Sequence, residues 1–193
     1  MLKLQEGMER LKPYIGRRFE TFLTEEQLSN LRRNKGRVGQ ILELLIGLKN
    51  TSNSIDFEDG ELKTNKCNIS GNPRETMFIT QISTHIDEIL TKKTFNDTYI
   101  YNKIKNLLYV PVCKDGDESS WMFLPFIHVD LTMDKYKKLY YQLEEDYYSI
   151  SKQLNDHILN SKDGFIHTSN GKFIQIRSKD SKPYFPIYSD VYN

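Results

Sequence analysis

The 193-residue sequence predicts an α/β fold in which a mixed sheet is flanked by helices. Three observations predict it. Apolar residues recur at three- and four-residue steps through the first 47 positions, which is the spacing of helical stripes. Short alternating or apolar runs, bounded by turn residues, then fill the middle of the chain as strands. A long helical stretch over 132–160 precedes a second strand pair near the C-terminus.

Leu4, Met8, Leu11, Ile15, Phe19 and Phe22 form one apolar stripe, divided by Pro13 and Gly16. Thr24-Glu25-Glu26-Gln27 has the pattern of a capping box and opens a helix over about 25–33. Val38 to Ile46 is a strongly apolar helix ended near Gly47 and is the candidate for the buried centre. Asp59-Gly60 is a preferred tight-turn pair, so Ser54–Phe57 and Glu61–Thr64 are expected to form a hairpin. Strands are expected at Glu75–Ile82, at Asn106–Val112 and at Trp121–Leu124, with a helix over 85–93. Gly164–His167 and Lys172–Arg177 are expected to pair around Ser169-Asn170-Gly171. Without a repeat or a dividing linker, residues 1–193 read as a single domain.

Charged residues make up 27% of the chain and hydrophobic residues 38%, which suits a packed soluble protein and excludes a disordered chain. The net charge is only +1, so any nucleic-acid site must come from local clustering of Lys and Arg. Cys67 and Cys113 are far apart with no CxxC pair, which argues against a zinc ribbon or disulfide scaffold and suggests a reducing, intracellular and cytoplasmic setting. No apolar run reaches the length of a membrane span or signal peptide, so a membrane partner is not expected. His85, His128, His157 and His167 have no metal-ligand spacing. Tyr136, Tyr140, Tyr141, Tyr147 and Tyr148 follow helical spacing and read as packing.

The chemistry is concentrated around the expected hairpin. Glu61 and Lys63 lie two apart on a strand and share a face, while Leu62 points to the other. Asp56, across the turn, can bring a second carboxylate beside Glu61. Paired carboxylates repel unless a cation neutralises them, and hard oxygen ligands with room for water and phosphate suit Mg²⁺, with Mn²⁺ as a substitute. Asp56 and Glu61 are therefore the candidate metal ligands, and Lys63 is placed to orient an attacking water or offset developing charge. Taken alone, the Asp-x4-Glu-x-Lys string is also what an alternating strand with a solvated face would contain. Glu43, in mid-helix between Leu42 and Leu44, is either a solvent-facing residue or a buried acid with a partner.

In ordered blocks the sequence resembles the MutH family, the DNA-nicking endonuclease of methyl-directed mismatch repair and its related restriction enzymes. The blocks are Leu23–Leu28, Lys35–Glu43 with Gly47, Asp56-Phe57, Gly60–Thr64, Glu75–Ile79, Asn102–Val112 and Gly171–Lys179. The resemblance implies a restriction-endonuclease-like core with two lobes around a DNA cleft. It also implies a metal-dependent, site-specific cut in double-stranded DNA. On this resemblance Asp56 and Glu61 bind the metal, Lys63 assists hydrolysis, and Glu43 is the helix glutamate beside the metal. Lys103 matches a second lysine near the scissile phosphate, and Arg177 and Lys179 fall on the base-reading loop. Arg and Lys suit guanine O6 and N7 in the major groove.

The chain departs from the pattern in two ways. The stretch between Asp56 and Glu61 is shorter than is common in the family, which leaves Glu58 or Asp59 as substitutes for Asp56. The family also continues beyond the point matching Asn193, so the chain is either a reduced version or part of a longer one. The expected activity is that of a restriction enzyme or a repair nickase, with a methyltransferase system or mismatch-repair proteins as partners. A DNA-binding module of the same fold that no longer cleaves is the alternative.

Overall fold

The computed structural model describes residues 2–48, 55–161, 166, 168–177 and 187–192. In chain order the helices and strands begin with α1 (Leu4–Leu11), α2 (Glu25–Arg33), α3 (Val38–Ile46), β1 (Glu61–Cys67) and β2 (Met77–Gln81). They continue with α4 (Ile86–Leu90), α5 (Tyr99–Ile104), β3 (Asn106–Cys113), β4 (Met122–Phe123), β5 (Ile127–Asp130), α6 (Lys137–Asn160), β6 (Ser169–Asn170) and β7 (Ile174–Arg177). The result is a mixed α/β fold, as the sequence predicts. The chain divides into two compact units, Met1–Glu75 with Asn106–Asp130, and Thr76–Lys105 with Leu131–Asn193.

In the first unit, the apolar stripe of the N-terminal segment breaks where expected, because Pro13 falls in a 3-10 turn directly after α1. The capping box that opens α2 is made in both directions. The Gln27 amide donates to Thr24 Oγ1 at 3.2 Å, and the Thr24 amide donates to Gln27 Oε1 at 2.9 Å. Gly47 ends α3 with a φ of 78°, the left-handed conformation that favours glycine. The four-stranded sheet is organised around β3, whose apolar residues are nearly all buried, as a strand covered on both faces requires. β1 runs parallel to β3 with Glu61 opposite Leu107, while β4 and β5 pair with β3 antiparallel. Leu42, Ile46, Phe57, Leu62, Leu108 and Phe123 belong to the buried core of this unit. Cys67 and Cys113 face each other in the β1–β3 ladder as buried free thiols.

The expected hairpin before β1 does not form among the described residues, and Ser54 of its first strand lies outside them. Residues 55–59 are bends, the Phe57 amide donates to the Gly60 carbonyl at 2.9 Å, and β1 takes β3 as its partner. Packing outweighs turn propensity here. Phe57 enters the core, and Gly60 lies so close to β3 that a Cβ on it would stand 2.6 Å from the Asn106 carbonyl oxygen. The position therefore accepts no side chain without displacing backbone.

The second unit holds a three-stranded sheet ordered β2-β7-β6, with β2 parallel and β6 antiparallel to β7. The C-terminal strand pair differs from expectation, since Ser169-Asn170 form a strand and residues 171–173 form the turn. Residues 164, 165 and 167 of the expected first strand lie outside the described residues. The cause is Asp146 on α6, which is buried and accepts the amides of Lys172, Phe173 and Ile174 at 2.9, 2.8 and 3.2 Å. Gly171 permits that approach, because a Cβ there would stand 2.3 Å from Asp146 Cγ. Tyr147 of α6 is core, as its spacing suggests, and its hydroxyl donates to the Glu88 carbonyl at 2.9 Å. Helix α5 and strand β5 were not expected from the sequence. Among the described residues no helix is long and apolar enough to cross a membrane.

Removing the Asp146 carboxylate takes the acceptor from three amides, of which that of Ile174 is buried. Asp146→Ala is therefore expected to cost about 2–4 kcal/mol of stability, read as a lowered urea midpoint with an unchanged slope.

Candidate active site

Glu61 opens β1 and is only 1% exposed, while Lys63, two residues on, is partly buried on the same face. Their side chains meet, with Lys63 Nζ 2.7 Å from Glu61 Oε1. Leu62 points the other way into the core, as strand alternation requires. Asp56 reaches the same strand from the preceding loop, where its Oδ2 accepts the Leu62 amide at 3.0 Å. Its carboxylate is thereby tied to the residue between Glu61 and Lys63.

The loop is fastened at several points. Phe57 is buried in the core, the Glu58 amide donates to the Leu2 carbonyl at 2.9 Å, and Asp59 Oδ1 accepts the Leu4 amide at 2.8 Å. Asp59 thus supplies an acceptor at the N-terminus of α1, and Glu58 is exposed. The shorter loop still carries Asp56 to β1. Asn106 braces the assembly from β3, its Nδ2 donating to the Asp59 carbonyl and its Oδ1 lying 2.7 Å from His128 Nε2. These supporting residues escaped the sequence reading. Phe57, a large apolar residue between two acids, was the one available signal that the loop is anchored rather than free.

Glu43 faces the same cluster. On α3 it is half-buried, whereas the neighbouring Leu44 is 68% exposed, so the expected preference of acid for solvent and leucine for core is inverted. Burial pushes the Glu43 carboxyl above its ordinary value of 4.5, and the negative charge of Asp56 pushes it further. Lys63 pulls it down, and Glu61 adds a final upward push. Three carboxylates thus share one region with one lysine, an excess of negative charge that suits a divalent cation.

Among the described residues no group of three His, Cys, Asp or Glu side chains is close enough together to hold a metal ion by itself. The donor set fits Mg²⁺ nonetheless, since that ion is commonly held by one or two carboxylates with water and phosphate completing its shell. Asp56 and Glu61 are the pair available. Lys103 and Arg177 belong to the second unit. Lys103 Nζ lies 5.6 Å from the centre of the Tyr99 ring, and Arg177 closes β7. Lys179 lies outside the described residues.

Comparison with known proteins bears on this geometry. A "DNA mismatch repair protein MutH" from Buchnera aphidicola is 30% identical over 190 residues, covering 95% of this chain and 81% of that protein. The chain belongs to the MutH family. Proteins of the same name from two strains of Escherichia coli are 28% and 29% identical over 153 residues, and there the match covers 78% of this chain and 63% of theirs. The family described as "DNA mismatch repair enzyme MutH" matches residues 47–123. That MutH match contains Asp56, Glu61, Lys63 and Lys103, while Glu43, Arg177 and Lys179 lie outside it.

The raised carboxyl of Glu43 has a definite consequence for stability. Stability linked to its neutral form is fully present below the unfolded value and is lost as pH rises through the higher folded value. Glu43→Gln stays neutral throughout. Without divalent cations it is expected to be more stable than the wild type at pH 7, with the difference closing as pH falls towards 4.5, measured by thermal melting in EDTA across that range.

Proposed function

We propose that the protein is an Mg²⁺-dependent, sequence-specific DNA endonuclease that nicks one strand of duplex DNA in mismatch repair. The observation that carries this reading is the cluster in which Asp56, Glu61 and Glu43 share one region with Lys63. Membership of the MutH family supports it, and the names of the matched relatives favour repair over restriction. A restriction-endonuclease-like core is part of the same proposal. One such cluster per chain acts on one strand at a time.

Asp56 and Glu61 would hold the cation, with Mn²⁺ able to replace Mg²⁺. A cation bound there lowers the pKa of water and neutralises charge on the scissile phosphate. Lys63, held by Glu61 in the absence of DNA, would orient the attacking water and offset charge that develops on the phosphate oxygens. Glu43 would stand beside the cation, where its charge adds to the field of Asp56 and Glu61. Lys103 would contact the backbone near the cut, and Arg177 with Lys179 would read base edges in the major groove.

Plasmid nicking in Mg²⁺ tests the proposal. Because Glu61 is buried against Lys63, the shape-preserving variants Glu61→Gln and Lys63→Met are the informative ones. Each is expected to slow nicking by at least about a hundredfold while duplex binding in Ca²⁺ persists. Wild-type rates in both variants would remove the proposed site, and DNA binding without cleavage by the wild type would favour a non-cleaving DNA-binding module.

A further inference from the structure

Arg177 stands on β7 two residues beyond Gln175, so both side chains project from the same face of the sheet, while Ile174 and Ile176 are buried on the other. Arginine only donates hydrogen bonds, so the Gln175 group that meets Arg177 Nε must be its carbonyl Oε1. The amide orientation is thereby decided. Gln175 Nε2 is directed to Thr76, where it donates to the carbonyl oxygen at 3.2 Å and to the hydroxyl. Gln175 is itself buried, which holds its side chain in one rotamer and makes each of these bonds costly to lose.

The neighbouring strand adds a second constraint. Phe78 of β2 is opposite Gln175 in the ladder, and the Arg177 guanidinium lies 5.3 Å from the centre of the Phe78 ring. A register shift follows directly between Phe78 and Thr80, and irregularities of this kind re-aim side chains at strand ends. A guanidinium bonded at Nε and placed against a ring is fixed in plane as well as position. Plane matters because the bidentate contact to guanine O6 and N7 is coplanar with the base.

We infer that Gln175 is a specificity-determining positioning residue, a relay that ties Arg177 to Thr76 and fixes the plane in which the guanidinium meets a base edge. The inference rests on the functional reading above, in which Arg177 reads sequence. Gln175 makes no contact with the reacting atoms in this account. Its loss should blur site selection and leave the rate of the chemical step unchanged.

The test maps cleavage positions on a long natural duplex for the wild type, Gln175→Leu, Gln175→Glu, Arg177→Ala and the double variant Gln175→Leu/Arg177→Ala. The readout is the ratio of cuts at the preferred sequence to cuts elsewhere. Gln175→Leu is expected to lower that ratio about tenfold, with Ca²⁺-supported binding to random duplex unchanged. Gln175→Glu keeps the acceptor for Arg177 but loses the donor to Thr76, so its ratio is expected to fall between those of the wild type and Gln175→Leu, and thermal melting of each variant reports any loss of folding. In the Arg177→Ala background the leucine change should have no further effect, a non-additivity that general destabilisation would not produce. The inference is overturned if Gln175→Leu keeps the wild-type ratio while Arg177→Ala loses it, or if its effect persists in full without Arg177. A wild type that cuts nowhere would overturn the endonuclease reading and this inference with it, a result distinct from either of those.

Discussion

The candidate site depends on how tightly a short loop is fastened to the first unit. Asp56 can reach the Leu62 amide only because Phe57 is held in the core, Asp59 receives the first amide of α1, and Gly60 lies against the start of β3. These contacts come from α1, β3 and the core and constrain residues 57–60. The loop therefore has little freedom left, and the Leu62 amide selects the final orientation of the Asp56 carboxylate. Glu61 and Lys63 need no comparable apparatus, since strand alternation along β1 and the parallel ladder with β3 present them together.

Placing three acids around one lysine has an energetic consequence. The polypeptide tolerates the arrangement by pairing Glu61 with Lys63, by binding Asp56 to a backbone amide, and by raising the proton affinity of Glu43. None of these devices removes the excess negative charge. Under the proposed function, a cation held by Asp56 and Glu61 would offset that charge, and the folded protein would gain stability on binding it. The exposed Leu44 beside half-buried Glu43 belongs to the same trade, in which α3 gives up ideal patterning to face the cluster with an acid.

Much of this was legible in the sequence. The capping box at Thr24, the glycine that ends α3, the buried strand through Val110 and the shared face of Glu61 and Lys63 follow from local rules, and each is present in the fold. The errors occurred where tertiary contacts override local preference. Asp59-Gly60 has the composition of a hairpin turn, yet the cap on α1 and the approach to Asn106 take those residues out of the sheet. Ser169-Asn170-Gly171 has turn composition too, but a carboxylate on a distant helix moves the turn onward. The contact of Gln175 with Thr76 is invisible to periodicity because it joins residues far apart in the chain. Glu43 is an intermediate case, since its apolar surroundings marked it as unusual and only the fold decides which way it faces.

The central claim is that Asp56 and Glu61 form one cation site built by the loop and β1. The most direct measurement is Mn²⁺ uptake by the DNA-free protein, followed through the paramagnetic resonance signal of the free ion, for the wild type, Asp56→Asn and Glu61→Gln. The account predicts that the wild type takes up Mn²⁺ and that each variant binds it at least about tenfold more weakly, since each loses a charged oxygen ligand. Equal uptake by all three proteins would contradict it.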